Sequence, residues 1–143
     1  MTQSNMPIYK GLAPGLNTEG QIPNLAALLR TVAKTASYTV TTDDSGTVFT
    51  TTGATGAVVF TLPAVATASA GCFYIFVNTV DQDMTVTSGT ADKLVYDGDA
   101  AADSLAFSTA SHKIGGAVLV VCDGANWLSF VAGNGSAVAT AAS

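Results

Sequence analysis

From residue 37 onward the sequence is a series of short runs of β-branched, aromatic and other apolar residues that are separated by turn-forming residues. Runs of about four to eight residues that alternate, or that are apolar throughout, and that are bounded by Gly, Asp, Asn or Pro are typical of β-strands. Regular spacing of such runs predicts an all-β domain, an antiparallel β-sandwich of the jelly-roll type. The candidate strands are 37–42, 47–51, 57–62, 72–80, 84–87, 93–96, 104–108, 117–122 and 127–131.

Two of these runs, 72–80 and 117–122, are apolar almost throughout, which predicts central strands that are buried on both faces. Each run holds one of the two cysteines, Cys72 and Cys122. In a reducing compartment a buried cysteine is by default a free thiol that packs as a small apolar residue. A disulfide, a redox pair and a metal site are the alternatives. The turn 123–126 predicts a hairpin between the last two candidate strands.

Residues 1–35 differ from the rest of the chain and are predicted to form an irregular arm. Closely spaced Pro and Gly interrupt its first part. In its second part, 24–34, Asn24 is a candidate N-cap and Lys34 suits the C-terminal end of the helix dipole, so a short helix is expected. The apolar residues on one face of that helix are Leu25, Leu28, Leu29 and Val32. The alternative is that 30–34 leads directly into a first strand.

The predicted organisation is therefore an arm (1–35), a β-sandwich domain (36–132) and a flexible tail (133–143). The tail is rich in Gly, Ala and Ser, which offer few side chains to anchor it. No stretch resembles a secretory signal, with a basic start followed by an apolar core. We therefore expect the protein to be made and to mature in a cytoplasm.

Charge is scarce in this chain. Only 10% of the residues are charged and the mean hydropathy is +0.41, whereas soluble domains average about 25% charged residues. No apolar run approaches the roughly 18 residues of a transmembrane helix. Five Lys and Arg against a net charge of −5 argue against binding to nucleic acid. Because a small domain exposes much of its surface, we expect an assembly subunit that other protein covers. A neutral monomer coated with Thr and Ser is the alternative.

The candidate metal ligands do not form a recognisable site. His112 is the only histidine, so one chain cannot supply a two-His zinc site. Cys72 and Cys122 could join it, but both fall in predicted core strands. Asp97, Asp99 and Asp103 are similar to part of a calcium loop, but the remaining oxygen ligands are absent. The sequence therefore predicts no metal and no cofactor.

Catalytic motifs are absent as well. The acidic pairs 43–44 and 81–83 lie in predicted turns, where Asp hydrogen-bonds its own backbone, whereas an acid–base pair requires burial. No nucleophile motif accompanies His112, and Gly53 and Gly56 do not open a phosphate-binding helix. A non-enzyme is predicted. Two alternatives remain: a hydrolase with a pocket around His112, and a glycan-binding module with exposed aromatics such as Trp127 or Tyr96.

Four segments carry a resemblance to a known group of proteins. They are 38–49 (YTVTTDDSGTVF), 53–64 (GATGAVVFTLPA), 71–77 (GCFYIFV) and 123–127 (DGANW). Together they resemble the small β modules of tailed-bacteriophage structural proteins, which occur in head decoration (cement) proteins and in tail fibres. The resemblance extends over about 36–131 and implies a non-enzymatic, usually trimeric virion protein.

Within that group, a decoration protein is the expected role. The chain is short and begins with its own Met1, its arm suits contacts with neighbouring subunits, and it lacks the repetitive shaft of a fibre. The resemblance then implies a homotrimer on the capsid exterior that cross-links the major capsid protein at threefold or quasi-threefold positions. The alternative is a tail-fibre or receptor-binding module that recognises host surface glycan.

Overall fold

The computed structural model describes residues 29–132 and 139–143, and the strands of these residues form two β-sheets. The all-β sandwich predicted from the sequence is confirmed. A short 3-10 helix, Thr42–Asp44, precedes β3. The strands are β1 (Arg30–Ala33), β2 (Tyr38–Thr39), β3 (Thr47–Thr50), β4 (Val58–Thr61), β5 (Phe73–Val77), β6 (Met84–Thr87), β7 (Leu94–Tyr96), β8 (Asp99–Ala102), β9 (Ser104–Phe107), β10 (Ala117–Cys122), β11 (Trp127–Ala132) and β12 (Ala139–Ala142).

The strands divide unequally between the sheets. One sheet has seven strands in the order β1-β3-β5-β10-β11-β7-β8, and the other has five in the order β12-β9-β6-β4-β2. From β1 to β6 the chain places successive strands alternately in the two sheets. The first half of the domain is therefore wound as a coil around the core, whereas β7–β8 and β10–β11 are neighbours within one sheet.

This winding changes the strand directions expected from the sequence. The pairs β3–β5, β2–β4, β4–β6 and β7–β11 are parallel, whereas β5–β10, β10–β11, β6–β9, β9–β12 and β7–β8 are antiparallel. The winding accounts for the parallel pairs β3–β5, β2–β4 and β4–β6, because the strand crossed in the other sheet provides the long connection that parallel neighbours need. The sandwich is thus mixed rather than purely antiparallel.

Aromatic side chains from both sheets fill the space between them. Phe49 and Phe76 of the seven-stranded sheet meet Phe60 of the five-stranded sheet, with ring centroids 4.8–5.6 Å apart. Trp127 lies 5.7 Å from Tyr74, and its Nε1 donates a hydrogen bond to the Pro63 carbonyl at 3.2 Å. All five side chains are buried. Such pairs add about 0.5–1.5 kcal/mol each to the stabilisation from burial alone.

The predicted helix over 24–34 is wrong where the structure describes it, because Arg30–Ala33 is the edge strand β1. Thr31 and Val32 are β-branched and favour extended backbone. Val32 packs against the core, and the Lys34 amide donates to the Thr50 carbonyl at 2.8 Å. The alternative reading of 30–34 as the approach to a first strand is therefore correct. The rest of the predicted arm, 1–28, lies outside the described residues.

Two further differences concern the chain after residue 95. The last residue of the predicted turn at 97–99 begins a strand, β8, that the sequence pattern did not indicate. Residues 139–142, part of the predicted flexible tail, form β12 and pair antiparallel with β9. The Asp103 amide donates to the Ala142 carbonyl at 2.6 Å, so backbone pairing holds a segment that has few large side chains. The remaining tail residues, 133–138, are not among those described.

Candidate interaction surface

The side of the seven-stranded sheet that faces away from the core is mainly apolar across its five central strands. Among its outward residues Thr50 is polar, and Ala117 and Ala132 are small. Alternation along each strand separates buried inner positions from partly exposed outer ones. The strand register aligns the outer positions of neighbouring strands, so that they form continuous rows across the sheet. We call this surface the apolar outer face; its residues are Val48, Phe73, Ile75, Val77, Val95, Leu119, Val121, Leu128 and Phe130.

Two rows carry the largest side chains of the apolar outer face. Ile75 lies between Val48 and Leu119, and Leu119 is opposite Phe130, so one row crosses β3, β5, β10 and β11. The second row crosses β5, β10, β11 and β7 and consists of Phe73, Val121, Leu128 and Val95. Phe130 is 56% exposed, and the other members of the face are half-buried. An exposed apolar surface of this continuity marks a site of interaction.

The corresponding side of the five-stranded sheet has a different chemistry. We call it the hydroxyl outer face; its residues are Thr39, Val59, Thr61, Thr85, Thr87, Ser104 and Ala106. Thr61 lies between Thr39 and Thr87, and Thr87 is opposite Ser104, so one row carries hydroxyl side chains on four neighbouring strands. These side chains can hydrogen-bond to water while they keep the β-branched shape that strands favour.

Charge is confined to the borders of both faces. Within the described strands only Arg30 and Asp99 are charged, and they belong to the two edge strands of the seven-stranded sheet. The other described charged residues lie in the turns and loops. Lys113 forms an ion pair with Asp83 at 2.7 Å, and this hydrogen bond raises the pKa of Lys113. The two outer faces are therefore uncharged surfaces with a charged border.

The acidic side chains between strands accept hydrogen bonds from nearby backbone amides and hydroxyl groups. The Asp44 carboxylate accepts hydrogen bonds from the Tyr38 hydroxyl at 3.0 Å and from the Thr41 amide and hydroxyl at 2.9 Å each. The Asp123 carboxylate accepts from the amides of Ala125 at 2.8 Å and Asn126 at 2.7 Å, which lowers its pKa. This bonding closes the predicted hairpin between β10 and β11.

The candidate metal ligands do not converge. His112 is exposed in the connection between β9 and β10, where its amide donates to the Thr109 carbonyl at 3.1 Å. The Asp103 carboxylate accepts from the Asp92 amide at 2.7 Å. The Asp99 carboxylate instead accepts hydrogen bonds from the Ala101 amide and from the Ser143 hydroxyl. The bond from Ser143 is the main cause of the lowered pKa of Asp99. Among the described residues no group of three or more His, Cys, Asp or Glu is placed to hold a metal.

The two cysteines occupy neighbouring strand ends and both are free thiols. The Cys122 amide donates to the Cys72 carbonyl at 2.8 Å, so the two backbones are directly paired. The Cys72 sulfur lies 3.1 Å from the Tyr74 hydroxyl, which donates to the Thr41 carbonyl at 2.8 Å. Burial raises the pKa of Tyr74, and the neighbouring thiol acts in the same direction. This cluster joins the end of β5 to the 3-10 helix.

The two aromatics proposed for glycan stacking are not equally available. Trp127 is fully buried in the core, so its ring cannot serve as a platform for a sugar. Tyr96 is half-buried at the end of β7, where burial and then the Asp97 carboxylate raise its pKa. Glycan recognition by Trp127 is therefore contradicted by its position.

No cavity is found in the part of the chain that the structure describes. Over the same ranges, no helix has the length and apolar character needed to cross a membrane. No protein-family model matches the sequence, and no curated protein matches it.

Sequence reasoning did not identify the apolar outer face. The sequence did contain an indication of it. The runs around Phe73 and Leu119 are apolar at successive positions, whereas a strand with one solvent-exposed face alternates between apolar and polar residues. We interpreted this pattern as burial on both faces. The structure shows alternation between buried and half-buried positions instead. The central location predicted for these two strands, β5 and β10, is correct.

Proposed function

We propose that this chain is a structural virion protein that binds the outside of a tailed-phage capsid as a homotrimer and stabilises the shell. The observation that carries the proposal is the apolar outer face, an uncharged apolar surface that extends over five strands of one sheet. A surface of this kind is suited to permanent association with protein. The resemblance to phage β modules is the reason why we propose a phage capsid as the location.

The stabilising effect follows from contact area rather than from chemistry. Burial of apolar surface contributes about 25 cal/mol per Å², and each interface also has association costs to offset. A trimer that contacts several capsid subunits at once links them, so that separation of one subunit requires the loss of several interfaces. The proposed partners are the other two copies and the major capsid protein, and the proposed location is the capsid exterior.

The tail-fibre alternative loses one of its two candidate residues. A receptor-binding module needs an exposed aromatic platform, and Trp127 is buried with its indole nitrogen bonded to the Pro63 carbonyl. Tyr96 alone would have to provide the stacking surface. Capsid decoration requires neither residue to be exposed.

Co-sedimentation tests the proposal directly. Empty shells are assembled from the major capsid protein encoded in the same phage genome, mixed with the purified protein at micromolar concentration, and pelleted. We expect the protein to pellet at a fixed ratio of three copies per occupied site and to raise the temperature at which the shells disassemble. If the shells neither bind the protein nor gain stability, the proposal is wrong. Shells of an unrelated phage are the control for non-specific adsorption.

The predicted role of the N-terminal segment can be tested with the same assay. Deletion of residues 1–20 leaves every described strand intact, so the β-sandwich is expected to stay folded. We predict that the shortened protein binds the shells more weakly. Unchanged binding would show that capsid contact does not involve this segment.

A further inference from the structure

We propose that the apolar outer face is the contact surface between copies of this chain, and that in the trimer three copies turn this face toward a common axis. This inference rests on the proposed function, for which it names the subunit interface. Four observations support other copies of the chain as the partners of this face. They are the size of the face, its lack of charge, the packing of like apolar sheets and the location of the charged residues at its border.

The face is large enough to form the core of a subunit interface. Each outward residue of a sheet occupies about 4.8 Å by 6.8 Å, so the nine residues of the face cover about 300 Å². A stable interface buries about 800 Å² per partner, with an apolar centre and a polar rim. The apolar outer face matches the centre, and the adjoining turns can supply the rim.

The chemistry of the face suits an identical partner. None of the residues that define it is charged, although the chain has a net charge of −5. Copies of an acidic protein repel one another unless their contact keeps the carboxylates apart. Contact through this face does so, because Asp44, Asp83 and Asp123 lie in connections beyond the strand ends. A charged partner would find no complementary group on the face.

The packing geometry also favours a copy. Apolar sheet faces pack on one another about 10 Å apart, as the two inner faces of this sandwich do through Phe49, Phe60 and Phe76. Three copies around a threefold axis bring three such faces together, and because a threefold contact is heterologous, each face packs against both of the other two. The hydroxyl outer face has less need of a protein partner, because threonine hydroxyls can hydrogen-bond to water.

The test compares substitutions on the two outer faces. Phe130→Asp changes a side chain that is 56% exposed, so the fold is expected to survive. Val121→Asp and Val59→Asp form a matched pair, since both valines are half-buried outward residues, one on each face. Mass is measured by light scattering and sedimentation over a range of concentrations, and circular dichroism checks folding of each variant.

We expect a wild-type trimer at micromolar concentration and at least a roughly 30-fold weaker association for Phe130→Asp, the loss typical of a central interface residue. Val121→Asp should dissociate the protein in the same way, and Val59→Asp should leave the trimer intact. Added salt should strengthen the wild-type trimer, because it screens repulsion between acidic borders. Association driven by opposite charges would weaken instead.

The inference is overturned if the wild type is monomeric, or if folded Phe130→Asp remains as trimeric as the wild type. Capsid co-sedimentation distinguishes this failure from failure of the proposed function. Shell binding by a trimer that Phe130→Asp does not dissociate would leave the function standing and move the interface elsewhere. A trimer that Phe130→Asp dissociates, but that binds no shell, would confirm the interface and reject the capsid role.

Discussion

The two sheets of this protein have similar inner faces and different outer faces. Both inner faces contribute buried aromatic and aliphatic side chains to one core, such as Phe76 from β5 and Phe60 from β4. Outward positions on the five central strands of the seven-stranded sheet carry mainly Val, Ile, Leu and Phe, whereas those on the five-stranded sheet carry mainly Thr and Ser. The same alternating pattern therefore builds one apolar outer surface and one outer surface rich in hydroxyl groups.

Threonine and valine explain how the difference arises at little cost to the fold. Both are β-branched and favour extended backbone, so either residue supports a strand. Threonine adds a hydroxyl that water can solvate, whereas valine leaves apolar surface exposed. The choice at outward positions therefore decides what the surface contacts, while the inward positions decide the fold.

The largest expected effect is on stability, when an aromatic ring is removed from the inner face of one sheet. Phe76→Ala removes a fully buried ring that contacts Phe49 and Phe60, and should lower the free energy of unfolding by about 3–5 kcal/mol. Phe130→Ala, on the outer side of the same sheet, should have little effect on the isolated chain. Guanidinium unfolding followed by circular dichroism, at several protein concentrations, measures both.

Concentration dependence provides the contrast between these two phenylalanines. The Phe76→Ala effect should be present at every concentration, whereas the Phe130→Ala effect should appear only where copies associate, because assembly stabilises the folded state by mass action. An equal loss from Phe130→Ala in dilute monomer would contradict the assignment of Phe130 to the outer face.

A smaller effect on stability, with a clear effect on association, is expected when the hydroxyl outer face is made apolar. The double variant Thr61→Val and Thr85→Val should change the free energy of unfolding by no more than about 0.5 kcal/mol, as is usual for surface substitutions. It should associate further than the wild type, because both outer faces are then apolar. Light scattering measures the mass.

The double variant Thr61→Ser and Thr85→Ser keeps both hydroxyls and is the matched control, for which we expect the wild-type mass. If the valine variant also keeps that mass, hydroxyl groups are not what keeps the five-stranded sheet free of partners.

The smallest effect concerns the charged border. Amides of Ala125 and Asn126 bond the Asp123 carboxylate and lower its pKa in the folded state. A lowered folded pKa contributes stability that is present above the unfolded value of about 3.9 and is lost as the pH falls below it. Asp123→Asn keeps an oxygen acceptor but does not titrate, so its stability should fall less between about pH 7 and pH 2.5.

Denaturant unfolding of the wild type and Asp123→Asn at both pH values measures the difference. Identical pH dependence would show that the hairpin bonds do not favour the charged carboxylate. The outer faces contain no titrating side chain, so we expect their contribution to stability to be the same at both pH values.

Much of the strand content could be predicted because its signals are local. The turn at Asp123–Asn126, with Gly124 at a φ of 99°, ends β10 and begins β11 as the sequence indicated. Residues 139–142 were missed because small side chains carry no periodic signal, and β12 is held by backbone bonds to β9. Arg30–Ala33 was mistaken for a helix because four residues fit either period.

The candidate surface could be predicted only in part. Scarcity of charge indicated that the exterior is covered by other protein, which stays a prediction, but it did not indicate where. Both Phe73 and Tyr74 are large and aromatic, so composition could not show which of them faces the core. Packing against the other sheet decides this, with Tyr74 buried and Phe73 half-buried.

The sequence by itself determined where most strands begin and end, that the strands carry almost no charge, and that most of the described acidic residues lie between strands. These properties depend on neighbouring residues, through side-chain alternation and turn preferences. Only the tertiary structure decided that β1–β6 alternate between two sheets, that β3–β5, β2–β4, β4–β6 and β7–β11 pair in parallel, and that one outer face is mainly apolar. Those properties depend on pairing between distant segments, which local sequence patterns do not encode.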